Sequence, residues 1–222
     1  MLFALLSPMQ QRHKVYTGAF FLTVLVIFTF KSDQVSSSGS IKPPTFSAGI
    51  DEKIIKAFLE VWQEFNSLHD YGFEVAQKRL KASTMQARPV FGVSQIFERT
   101  HRYKLNVAEK VLDSEDLAVA DLPEDVLKGW FAHELGHIVD YENHSNLGMI
   151  AYGIRYSLSD QYKRDREHEA DSIAIRHGFR NEVILAKKYL LDNDFISPAY
   201  KSQISKFYMS VRGAELCPDG LA

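Results

Sequence analysis

A single cysteine, Cys217, occurs in 222 residues, so no internal disulfide can brace this chain and cysteine usage does not place it in a redox compartment. No excess of either charge is present, with 26 Lys and Arg against 28 Asp and Glu. Binding to a phosphate backbone calls for a basic stripe, which this balance does not offer, so a nucleic-acid partner is not expected. Internal repeats are absent. The chain also lacks an uncharged run of full spanning length: Val15 to Phe30 supplies 16 such residues, against about 17–25 for a membrane-crossing helix and about 7–15 for a signal-peptide core.

Arg12 and Lys14 precede that run and Lys31 and Asp33 follow it, with no clear small-residue cleavage site before Val35-Ser36-Ser37. The sequence therefore predicts a cytoplasmic tail over 1–14 and a membrane anchor or uncleaved signal over 15–30, which would give the chain the lipid bilayer as a partner. The rest would lie on the extracytoplasmic side. Cleavage of the segment would instead make the protein secreted or periplasmic. Residues 31–48 are rich in Ser, Gly and Pro and read as a flexible linker, leaving 49–222 as the folded domain.

Within that domain, Asp51 is placed to cap a helix in which Ile54, Ile55, Phe58, Leu59, Trp62, Phe65 and Leu68 recur at helical spacing. Pro89–Phe97 and Tyr103–Val107 read as strands. Asp121-Leu-Pro123-Glu124 reads as the start of a helix running to about Tyr141, capped by Asp121. A second helix should begin at Ser159 or Asp160 and stop at Gly178. Further amphipathic helices are expected over 181–191 and 198–211. The expected fold class is α+β and mostly helical: a small sheet, an active-site helix, then a second ligand-bearing helix.

The chemistry sits on those two helices. His133 and His137 are four residues apart, so both imidazoles leave one helical face and can reach one ion. Glu134 lies on a neighbouring angular position, beside the ion without binding it, where a general base belongs. A catalytic zinc needs a third protein ligand and an open position. Glu167 heads Glu167-His168-Glu169-Ala170-Asp171 and is the candidate, while Asp171, one turn on, would hold the far nitrogen of a ligand histidine. Glu169 and His168 point elsewhere. Chance alone would place an HExxH with such an ExxxD in a chain of this composition about once in several hundred, which favours a real site over a solvated charge run.

HExxH with a downstream Glu ligand resembles the gluzincin zinc metallopeptidases. Glu167-x-x-Ala170-Asp171 looks most like the HtpX-like and CAAX-prenyl-protease-like membrane peptidases, and the short catalytic region is similar to the minigluzincins. The resemblance covers mainly residues 120–180. It implies a zincin-like fold and one Zn2+ per chain on His133, His137 and Glu167. It further implies Glu134 as general base and acid, Asp171 behind a ligand histidine, and a peptide or protein as substrate. Where HtpX-like members carry His-Pro and a basic residue, this chain has Ser197-Pro198-Ala199-Tyr200-Lys201. Tyr152, Tyr156, His177 and Tyr200 are all able to stabilise an oxyanion. Two other functions use the same residues: a membrane-tethered, non-catalytic zinc module, and a zinc hydrolase of a non-peptide amide.

Overall fold

The computed structural model describes residues 41–219 apart from 82 and 115. The elements run β1 (Thr45–Phe46), α1 (Glu52–Glu64), β2 (Gly72–Lys78), β3 (Met85–Pro89), β4 (Arg102–Ala108), α2 (Glu124–Tyr141), α3 (Asn146–Leu158), α4 (Asp160–Arg176), α5 (Arg180–Asp192), α6 (Pro198–Phe207) and α7 (Val211–Leu216). The fold is α+β, with a four-stranded sheet in the order β1-β2-β4-β3. β1, β2 and β4 are mutually parallel, and β3 closes one edge antiparallel to β4, with Ala87 opposite Leu105.

One apolar core joins sheet and helices. Phe58 of α1 meets Phe131 of α2 edge to face at 5.4 Å, an aromatic geometry contributing about 0.5–1.5 kcal/mol beyond its buried area. Val75, Leu105, Val107, Leu127, Leu135 and Ile138 are fully buried with them. α2 is central because two of its faces are backbone-smooth. A Cβ at Gly129 would stand 2.2 Å from the Glu182 carbonyl oxygen of α5, and one at Gly136 would stand 2.4 Å from the Ala170 carbonyl oxygen of α4. Only glycine admits such close helix approach, and it brings α4 within reach of the histidines.

Local signals held at several ends. Asp51 caps α1 by accepting from Lys53 N at 2.8 Å. Ser159 caps α4 by accepting from Tyr162 N at 3.2 Å. Gly178 follows α4 with φ +94, the left-handed conformation expected of that glycine. Elsewhere the structure corrects the reading. The strand expected over Pro89–Phe97 ends at Pro89, with one further backbone bond from Val90 N to Arg102 O at 2.9 Å, and its continuation is a short 3-10 turn at Val93–Gln95. Strand β2, helix α3 and β3 upstream of Pro89 are not marked by the sequence pattern. Asp121 is not the α2 cap: it sits in a 3-10 turn at Val119–Asp121 and Pro123 takes the cap position. The turn is tied instead by Lys53 Nζ, which donates to the carbonyls of Ala120 and Leu122. Glu124 makes no capping box and pairs with Lys56 and Lys128 at 3.1 Å each. The linker ends before 48, because Thr45 and Phe46 already pair with β2 and Thr45 Oγ1 donates to Phe73 O at 2.9 Å. The helix expected over 198–211 breaks at Tyr208–Ser210 into α6 and α7.

The membrane-anchored, extracytoplasmic placement is also corrected. No helix among the described residues is long and apolar enough to cross a membrane. The longest of them, α2, carries Glu124, Asp125, Lys128, Glu134 and Asp140 along its 18 residues, which hydrocarbon would not accept. The segment read as an anchor, Val15–Phe30, lies outside the described residues.

Candidate metal centre

The helical period of α2 puts His133 and His137 on one face, and the close approach at Gly136 lays α4 across it. Glu167 Oε2 then lies 3.1 Å from His133 Nε2 and 3.6 Å from His137 Nε2. The three ligand atoms all fall within 4.8 Å of one another, an arrangement that could hold a metal ion. For an ion with bonds of roughly 2.0–2.1 Å, tetrahedral ligand atoms stand about 3.3–3.4 Å apart, and the two measured separations bracket that value. Glu167 Oε2 is moreover buried, with the two imidazole Nε2 atoms as its near polar neighbours. A buried carboxylate oxygen converging with two imidazole nitrogens has the chemistry of a cation's donor set.

Two of the three ligands, His133 and Glu167, are held from behind. Asp171 Oδ1 accepts from His133 Nδ1 at 3.0 Å, which directs Nε2 toward Glu167. The other carboxylate oxygen, Oδ2, accepts from Lys187 Nζ at 2.7 Å and from Met209 N at 3.1 Å. Tyr156 on α3 donates its hydroxyl to Glu167 Oε1, leaving Oε2 for the histidines. On the same helix, Tyr152 donates to Asp140 Oδ2 at 3.0 Å, and Arg166 Nη1 donates to Asp140 Oδ1 at 2.8 Å, so α3 and α4 are both tied to the far end of α2.

Burial and charge compete here, and charge prevails on the ions. Burial would lower the His133 imidazole, but the Asp171 and Glu167 carboxylates outweigh it and raise it to about 10. Burial would raise Asp171, yet Lys187 and His133 hold it at about 2. Glu167 is likewise held well below the usual carboxylate range by His137 and His133, against its burial. Burial, reinforced by nearby carboxylates, pushes the Tyr156 and Tyr208 phenols far up, so both stay protonated.

A cleft of about 90 Å³ opens beside His133 and Glu134. Its walls are Trp130 of α2, Met85 of β3, Val183, Ala186 and Leu190 of α5, and Ile204 of α6, with Tyr200 and Tyr208 also facing it. Glu134 is half-buried on this rim, and its Oε2 accepts from Ala87 N of the edge strand at 2.8 Å. Its carboxylate is therefore outside the ligand cluster and next to it.

The structure thus brings together His133, Glu134, His137, Glu167 and Asp171, as spacing suggested. Glu169 turns away to pair with Arg176 at 2.9 Å. Of the four groups able to stabilise an oxyanion, only Tyr200 lines the cleft. Tyr152 and Tyr156 are engaged as above, and His177 stacks on Phe65 at 4.0 Å with Nδ1 against Ile173 O at 2.8 Å. Three participants were not foreseen. Tyr208, its ring 5.4 Å from that of His133, was hidden inside the expected 198–211 helix. Ala87 N acts through backbone alone, which no side-chain pattern reveals. Lys187 had a legible sign: it interrupts the Val183, Ala186, Leu190 stripe of α5 with a charge. Compared with known protein families, curated proteins and solved structures, the chain matches none.

Proposed function

We propose that this protein is a zinc-dependent endopeptidase of zincin-like fold, with His133, His137 and Glu167 as ligands and Glu134 as general base and acid. The observation that carries the reading is the place of Glu134: one residue from a ligand, beside the cluster, on the rim of a cleft, and bonded to Ala87 N of the edge strand. A site meant only to hold a metal has no use for a free carboxylate there. Two histidines and a glutamate are a donor set that suits zinc and leaves one coordination position open. When bound, the ion supplies Lewis acidity, polarising the scissile carbonyl and making water nucleophilic at neutral pH.

The remaining steps belong to the chain. Glu134 takes the proton of the attacking water and returns it to the leaving amine. Tyr200 and Tyr208 face the cleft as neutral phenols, able to donate to an oxyanion. The outer edge of β3 has no strand partner among the described residues, and although Ala87 N is taken by Glu134, its remaining backbone groups can receive an extended peptide. The apolar cleft walls then receive an apolar side chain next to the scissile bond.

The test is peptide-library cleavage by the zinc-loaded full chain and by Glu134→Gln. The amide is nearly isosteric, so the variant should keep its metal and its fold while cleavage falls by about 10² or more. A zinc-loaded parent that cleaves no peptide overturns the reading, as does a variant that cleaves as fast as the parent.

A further inference from the structure

We propose that Lys187 is a positioning residue of the metal site, acting through Asp171 on His133. The inference rests on the metal-site reading above and goes beyond its ligands and base. Lys187 lies in the apolar stripe of α5 between Val183 and Leu190, with only 6% of its surface exposed. An ammonium group so placed has lost its hydration and must be compensated by its neighbours. Its ion-pair partner is Asp171 Oδ2, at 2.7 Å.

That oxygen also accepts from Met209 N at 3.1 Å, while Oδ1 faces His133 Nδ1 at 3.0 Å. Two donors on one oxygen stop the carboxylate from turning about its Cβ–Cγ bond. The other oxygen is thereby kept for the histidine, and the imidazole plane is set from α5 and from the connection between α6 and α7. Lys187 Nζ also stands 5.3 Å from the centre of the Tyr208 ring, which packs in turn on His133 at 5.4 Å. Asp171 and Tyr208, two of the groups against the His133 ring, thus both contact one lysine.

Charge points the same way. Glu134, Glu167 and Asp171 contribute three negative charges, which the two charges of a divalent ion and the one of Lys187 neutralise. Without the lysine, Asp171 would keep its charge partly uncompensated and be free to seek other donors. A lysine that merely braces α4 against α5 would matter to stability and leave the metal untouched, and this is the difference to measure.

The experiment determines zinc and cobalt(II) dissociation constants by chelator competition, with melting temperatures and the cobalt absorption spectrum. It uses the full chain, Lys187→Met, Lys187→Gln, Asp171→Asn and the double variant Asp171→Asn with Lys187→Met. Each lysine variant should weaken metal binding about tenfold or more, the effect expected of an outer partner of a ligand, and should alter the cobalt spectrum. The double variant should bind no more weakly than Asp171→Asn alone, because the lysine acts through that carboxylate. Lysine variants that melt lower yet bind metal as the parent does overturn the proposal, and so does a double variant whose losses add. If Lys187→Met does not fold, the double variant, which removes both members of the buried pair, carries the comparison with Asp171→Asn. A parent that binds metal but cleaves nothing defeats the peptidase reading and leaves this inference intact.

Discussion

Tyr156 donates its hydroxyl to Oε1 of Glu167, and so decides which oxygen of that carboxylate is left to face His133 and His137. The tyrosine comes from α3 and the glutamate from α4, so the set of the ligand depends on how two helices pack and not on either alone.

Tyr156→Phe removes that donor and nothing else of the ring. A hydrogen bond to a buried carboxylate contributes about 1.5–3 kcal/mol, so zinc affinity should fall by roughly tenfold or more while the fold persists. Chelator competition measures it; an unchanged dissociation constant would show that Glu167 needs no such support.

His137→Ala and Glu167→Gln should each lower zinc content from near one equivalent per chain after mild dialysis, because either leaves two ligands where three are needed. Elemental analysis decides it. Equal zinc in parent and variants would remove the metal centre from this account.

Gly136→Ala tests the helix contact on which the site depends. Alanine favours helix over glycine by about 1 kcal/mol, but its Cβ would meet the Ala170 carbonyl oxygen at 2.4 Å, a backbone atom unable to step aside. Overpacking costs about 1–3 kcal/mol, and rigid backbone puts this case at the upper end, so the variant should be net destabilised and bind zinc less tightly. A melting temperature equal to or above the parent's would refute the close packing.

The metal-free protein should show a defined pH response. His133 is raised from 6.5 to about 10 in the folded state, so its contribution is complete below 6.5 and is lost as pH climbs through about 10. Asp171 is lowered from 3.8 to about 2, so its contribution is complete above 3.8 and is lost as pH falls through about 2. Melting temperature without metal should therefore decline above pH 6.5. Zinc must displace the His133 proton, so its dissociation constant should drop by about tenfold per pH unit between roughly pH 7 and 9. A flat profile in a competition titration would count against the Asp171–His133–Glu167 geometry.

Which residues share a helical face is legible along the chain. His133 with His137, and Glu167 with Asp171, follow from the helical period, which is set by hydrogen bonds four residues apart and so is readable along the chain. Caps at Asp51 and Ser159 and the left-handed Gly178 are equally local. The wrong cap at Asp121 and the misplaced strand at Pro89–Phe97 arose where distant groups intervene, Lys53 holding the turn before α2 and Asn146 Nδ2 donating to Gln95 O at 2.7 Å. Packing between elements sets which oxygen of Glu167 faces the histidines, lays Tyr208 over His133, brings Ala87 N to Glu134 and anchors Asp171 on Lys187. Those contacts join residues 11 to 75 positions apart through side-chain shape and helix approach, and no local period encodes such distances.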